Sequence, residues 1–140
     1  MSEDGVFRRR RVVNDADVDF LGHVNNTVWV DFIVQLAEAH SSSLGLDWQA
    51  TREQGGQWIV RRHEIDYHRP AHPGQELIEE TWIRSVRGAR SIRHARFTLA
   101  ADGSVLVSSV TQWAFCDPVT HRPKRVPKEL LERYPVVERD

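Results

Sequence analysis

NNTVWVDFIVQLAEAHSSSLG, residues Asn25 to Gly45, decides the architecture. Its apolar residues Val28, Trp29, Phe32, Ile33, Leu36, Ala37 and Leu44 recur at spacings of three and four, with Asp31, Gln35 and Glu38 between them. That periodicity is the signature of an amphipathic α-helix. Asn25 or Asn26 supplies the N-cap, and Gly45 stands where a left-handed residue closes a helix. The pattern predicts one helix over 27–44, about five turns long. A short second helix over 47–54 is ended by Gly55-Gly56.

Outward from this helix the pattern changes. The stretches 6–13, 58–69, 76–87, 90–101 and 104–116 have strand length, and turn signals at Pro70 to Gly74, Gly88 and Asp102-Gly103 separate the later ones. In the last stretch Val105, Val107, Ser109, Thr111, Trp113 and Phe115 alternate with Leu106, Ser108, Val110, Gln112 and Ala114, a period of two. The predicted order is strand, long helix, then strands in antiparallel meander style. This is an α+β arrangement in which one sheet wraps one helix. The tail from Asp117 carries Pro118, Pro123, Pro127 and Pro135, so an irregular cover with one helical turn near 129–133 is expected. No internal repeat or linker interrupts the chain, which reads as one domain over 1–140.

Composition bounds the function. At 140 residues, 40% hydrophobic and 28% charged, with 5 tryptophans, the chain has the material for a folded core. A net charge of -1 argues against a protein whose main work is gripping nucleic acid phosphates. Cys116 is the lone cysteine, which excludes an internal disulfide and points to a reducing cytoplasm. The beginning MSEDGVFRRRR has no apolar run behind it, and no segment approaches the ~20 apolar residues of a membrane span. A cytoplasmic protein without membrane or nucleic acid partners is expected.

Several chemistries lack support. The arginines at 8–11 would alternate between strand faces and form a solvated edge rather than one patch. His63, His68 and His72 fit neither a helical nor a strand-face metal-ligand spacing, so no metal and no cofactor is expected. Cys116 has no evident activating partner, and neither a Gly-x-Ser-x-Gly turn nor a Gly-rich phosphate loop is present.

What remains is DVDFLGHVNN, Asp17 to Asn26, immediately before the helix. As structure it is a capping loop: Asp17 and Asp19 face the positive helix end, Gly22 makes the turn, and the asparagines cap. As chemistry, the free N–H groups of a helix start can bind a developing oxyanion, and a carboxylate just upstream reaches the same small volume. His23 and the carboxamides offer orienting hydrogen bonds.

These residues resemble the hotdog-fold acyl-CoA thioesterases of the 4-hydroxybenzoyl-CoA thioesterase type, over about 10–127. The family pattern Asp-x-Asp-x-x-Gly-His-Val-Asn-Asn before a long helix matches residues 17–26, and Asp-Tyr-x-x-Pro-Ala-x-x-Gly matches Asp66 to Gly74. The resemblance implies a five-stranded antiparallel sheet wrapped around the helix, and hydrolysis of an acyl-CoA thioester to free acid and CoA. It places the catalytic carboxylate at Asp19, as base or nucleophile. The oxyanion donor falls at or next to Asn26, and His23 and Asn25 hold substrate, water or loop. Gly22 and Trp29, where many relatives have tyrosine, fall beside the substrate. Arg87, Arg90 and Ser91 around the Gly88 turn are expected to meet CoA phosphates. The family also implies a homodimer or dimer of dimers with sites between subunits. Hydrolysis of acyl-carrier-protein (acyl-ACP) thioesters, and non-catalytic binding of acyl-CoA or an acyl carrier, are the alternatives on the same fold.

Overall fold

The structure, a computed structural model, describes residues 4–140. Strand β1 (Phe7–Val12) leads through a 3-10 turn (Asp15–Asp17) into helix α1 (Asn26–Ser43) and the short α2 (Trp48–Glu53). Strands β2 (Gln57–Tyr67), β3 (Glu76–Arg87), β4 (Arg90–Leu99) and β5 (Val105–Cys116) follow, and α3 (Lys128–Arg133) lies in the tail. All strand pairings are antiparallel, in one 5-stranded sheet of order β1-β3-β4-β5-β2. The α+β hotdog class stands.

The meander is shorter than expected. Only β3, β4 and β5 are joined by hairpins, while β2 leaves its sequence neighbour β3 and pairs with β5 at the far edge. The reason lies in the link after Tyr67. Ala71 is fully buried there and its carbonyl accepts from the Val24 N–H, while the Gly74 N–H donates to the Val13 carbonyl. The link is thus tied to the segment after β1, and β3 starts beside β1, with Val12 opposite Glu76. Register shifts at Val60/Arg62, Ile83/Ser85 and Phe97/Thr98 mark irregularities that bend and twist the sheet.

Trp29, Phe32, Ile33 and Leu36 on α1 pack against Leu77, Ala95, Phe97 and Val107 of the sheet. The Trp29 ring meets Phe97 edge-on at 5.2 Å. A second cluster, Leu46, Ile83, Phe115, Val126, Leu130 and Tyr134, sits under α2 and the tail. Along α1, β3, β4 and β5 a buried polar band separates the two, made of His40, Thr81, Arg93 and Thr111.

The arginine run is not simply a solvated edge. Its side chains alternate as a strand requires, yet each has a carboxylate partner on β3. Arg9 and Arg11 donate from Nε to the two oxygens of Glu79 at 2.7 and 2.8 Å, and the Glu79 side chain is 0% exposed. Arg8 pairs with Glu80 at 2.8 Å and Arg10 with Glu76. Arg11 also lies 4.0 Å over the Phe32 ring and donates to Gln35, which ties β1 to α1. Alternation is legible in the strand pattern alone; the acids opposite are set by the β1–β3 register. Among the described residues, no helix is long and apolar enough to cross a membrane.

Candidate active site

The loop between β1 and α1 is built by its own acids. The Asp17 carboxylate accepts from the Asn14 N–H at 2.9 Å, and the Asp17 carbonyl accepts from the Asn25 N–H at 3.0 Å. Asp17 therefore holds the loop together. Val18 and Val24 pair as an antiparallel bridge, and the Asp19 N–H donates to the His23 carbonyl at 3.0 Å, which closes a tight turn over 19–22. Gly22 sits there at φ 78, a left-handed conformation that other residues adopt only with strain. The turn pushes Phe20 to 96% exposure at its tip.

Asp19 itself is half-buried. Its Oδ1 accepts from the Leu21 N–H at 2.9 Å, and among the described residues its Oδ2 has no hydrogen-bond partner. One oxygen orients the carboxylate; the other is available.

The helix start divides the two asparagines. Asn25 is the cap: its Oδ1 accepts from the Thr27 N–H and the Thr27 hydroxyl, each at 3.0 Å. The Asn25 carbonyl accepts from the Val28 and Trp29 N–H groups. Asn26, the first helical residue, is exposed, and its backbone N–H makes no hydrogen bond among the described residues. The first turn thus keeps one free donor, at the positive end of an 18-residue helix.

The second sequence motif packs against the first. The Tyr67 hydroxyl donates to the Asn26 carbonyl at 3.4 Å, and the His72 Nδ1 lies 3.3 Å from the Gly22 carbonyl. His72 also meets His23 edge-on, ring centroids 5.0 Å apart. His72, a metal candidate of poor spacing in the sequence, takes its position here from its place in the Pro-Ala-His-Pro-Gly turn. Among the described residues, no group of three or more His, Cys, Asp or Glu is placed to hold a metal ion.

Asp19, Gly22, His23, Asn25 and Asn26 therefore lie on one hydrogen-bonded loop, and the remaining predicted residues do not join them. Trp29 is 2% exposed and belongs to the core under α1. Arg87, Arg90 and Ser91 lie at the β3–β4 turn, at the end of β3 away from the loop, on the order of 35 Å along the strand at ~3.3 Å per residue. Within one chain they cannot meet a ligand held at Asn26 by direct contact across a short distance. Arg87 and Arg90 are exposed there, while Ser91 is buried and lines a separate cavity of ≈ 350 Å³ at the far end of α1.

A carboxylate with one free oxygen on the loop that ends in a free helix N–H offers the groups that act on a carbonyl compound. The N–H meets the charge that develops on oxygen, and the carboxylate attacks the carbon or takes a proton from water.

Residues 13–134 match the family model described as the thioesterase-like superfamily. Comparison with curated protein sequences finds no match. Among solved structures, a 1,4-dihydroxy-2-naphthoyl-CoA thioesterase from Synechocystis superposes with a TM-score of 0.83 at 21% identity, covering 92% of this chain and 95% of that one. An acyl-ACP thioesterase from Bacteroides thetaiotaomicron aligns with a TM-score of 0.83 at 20% identity; 94% of this chain matches 54% of that larger one. A Staphylococcus aureus protein in complex with CoA aligns with a TM-score of 0.84 at 13% identity, over 91% of this chain and 80% of that one.

Proposed function

Because the chain belongs to the thioesterase-like superfamily, we propose that it hydrolyses an acyl-CoA thioester to the free acid and CoA at the loop that starts α1. The observation that carries this reading is that the loop starting α1 holds, among the described residues, both an unpartnered Asn26 N–H and an Asp19 carboxylate with a free Oδ2. The thioester carbonyl points its oxygen at that N–H, where the helix dipole adds to the hydrogen bond as negative charge develops. Asp19 either attacks the carbonyl carbon, forming an anhydride that water opens, or takes a proton from attacking water. In both routes the C–S bond breaks and CoA leaves as its thiol or thiolate.

Gly22 lets the turn present Asp19, and the Asn25 carboxamide, committed to Thr27, acts by fixing the helix start. His23, braced by His72, borders the substrate.

The substrate's CoA half is supported by the CoA-bound neighbour. An acyl-ACP substrate is the second reading, favoured by the likeness to the acyl-ACP thioesterase, of which this chain spans about half. Two copies of the chain are proposed to act together. β2 pairs only with β5, so along Gln57–Tyr67 its outer edge offers backbone groups to a second strand. A second copy would also give the exposed Arg87 and Arg90 a route to the site that one chain does not provide, while Trp29 stays in the core. The lone buried Cys116 fits a reducing cytoplasm.

The test is a thiol-release assay with short, long and aromatic acyl-CoAs and the matching acyl-ACPs. Asp19→Asn and Asp19→Ala are expected to fold and associate like the parent while losing most hydrolysis. Parental turnover in either variant would refute the assignment. Binding of acyl-CoA without turnover by the parent would make the protein a carrier or sensor.

A further inference from the structure

We propose that the cavity at the C-terminal end of α1 binds a small molecule with an apolar body and a free carboxylate, the carboxylate resting on Arg93. Arg93 lies on β4, is 6% exposed, and lines this ≈ 350 Å³ space, a size suited to a small organic ligand. Its Nη1 donates to His40 Nδ1 at 2.9 Å and to the Thr81 hydroxyl at 3.1 Å, both neutral acceptors. Among the described residues its Nε and Nη2 make no hydrogen bond, and no carboxylate lies within ion-pair distance. The arginines at 8–11, by contrast, all face acids. A buried guanidinium without an anion is expensive to keep charged, so the missing counter-ion is the feature to explain.

The rest of that wall also offers donors. Strand pairing sets Ser91 opposite Trp113 and Arg93 opposite Thr111, which brings Ser91, Arg93 and Trp113 to one face. The Trp113 ring lines the wall, its Nε1 buried behind it without a hydrogen-bond partner among the described residues. The Tyr134 hydroxyl accepts from Trp58 Nε1 at 3.1 Å, which leaves its own proton to donate. Leu46, Trp58, Ile83 and Val86 supply the apolar walls. The charged rim residues Glu38, Asp47 and Arg52 are exposed and screened by solvent, and the Asp47 carboxylate is occupied in capping α2 through the Ala50 N–H. A donor-lined, apolar-walled space with a buried cation fits an amphiphilic carboxylate.

Ser41 at this cavity is about 22 Å along α1 from Asn26, at ~1.5 Å per residue, so within one chain the site is separate from the Asp19 loop. The carboxylate has two chemical sources: a free carboxylic acid, or the far-end carboxylate of a dicarboxylic acyl thioester held at a second copy's loop.

Calorimetric titration of the full chain with octanoate and 4-phenylbutyrate, each against its primary amide, reads the first source without requiring turnover. The parent is expected to bind an acid at least tenfold tighter than its amide, Arg93→Met to erase that preference, and Asp19→Asn to leave it unchanged. The second source appears as a preference in kcat/KM for adipoyl-CoA over hexanoyl-CoA that Arg93→Met erases. Either preference, lost with Arg93, supports the site and identifies its source. The absence of both, or persistence of either in Arg93→Met, overturns it. If Arg93→Met does not fold, Val86→Trp fills the cavity instead, and a preference that survives that substitution overturns the proposal.

Discussion

The proposed oxyanion donor can be deleted without touching anything that holds the fold. Asn26 is the first residue of α1, and its N–H has no partner in the structure among the described residues. Proline suits that position: its fixed φ near −65° matches the helix, and the N–H it lacks is one that a helix start leaves unpaired. The preceding residue must be extended, and Asn25 already is, at φ -63 and ψ 140. The Asn25 cap on Thr27 and the Tyr67 contact to the Asn26 carbonyl both use atoms that proline keeps. Asn26→Pro should therefore change unfolding free energy by less than about 1 kcal/mol in urea titration, against the ~3 kcal/mol of a proline placed inside a helix. Removing one oxyanion donor costs about 2.7–4 kcal/mol of transition-state stabilisation, which is a drop in kcat on the order of 10²–10³-fold. Asn26→Ala, which keeps the N–H and loses only the carboxamide, separates backbone from side chain. Stopped-flow thiol release on the best acyl-CoA substrate reads both variants. Equal kcat for Asn26→Pro and Asn26→Ala would refute the assignment of this N–H as the oxyanion donor.

Glu79→Ala should cost about 2–4 kcal/mol by urea unfolding, because two arginines lose the buried carboxylate that holds β1 to β3; Arg9 and Arg11 are partly exposed, which keeps the loss below that of a fully sealed pair. A loss under about 0.5 kcal/mol would show the pairs to be solvated decoration. Gly56→Ala places a Cβ 2.3 Å from Cζ of the fully buried Phe115, which itself packs edge-on against Trp58 at 5.2 Å, so a loss of at least about 2 kcal/mol is expected. Acid should weaken the fold well before the carboxylates titrate. Burial, and then the Arg93 charge, push His40 down to about 3, so below its unfolded value near 6.5 the unfolded chain binds a proton that the native chain refuses. Stability is full above pH 6.5 and falls toward pH 3 by up to about 1.4 kcal/mol per unit. Burial lowers His63 and His94 as well, with the same sign. Urea midpoints that stay level between pH 7.5 and 5 would contradict this.

What could be read from residues alone was local. The three-and-four spacing from Val28 to Leu44 and the Gly45 stop located α1 to within a residue at each end, and Asp102-Gly103 marked the β4–β5 turn. Strand order was not legible, because β2 lies next to β5 through a register that no short-range pattern encodes. The same limit hid the acids facing the arginine run and the buried Arg93, whose neighbours come from α1 and β3. At the loop, the motif pointed to Asp19 and to two asparagines without dividing their roles. Cap geometry does so, giving Asn25 the side-chain duty and Asn26 the free backbone donor.

The placement of β1 and β2 at opposite edges of the sheet also sets an order of events in folding. β3, β4 and β5 can zip through two short turns, at low cost in chain entropy. β1 has no such route: Phe7 must find Thr81, and the helix lies in the intervening chain. Closure of the sheet around α1 is therefore a late, long-range step, which makes folding slow relative to helical proteins of this size. Substitutions in the β3–β4–β5 hairpins should slow refolding, whereas those in β1, Glu79 partners included, should chiefly speed unfolding.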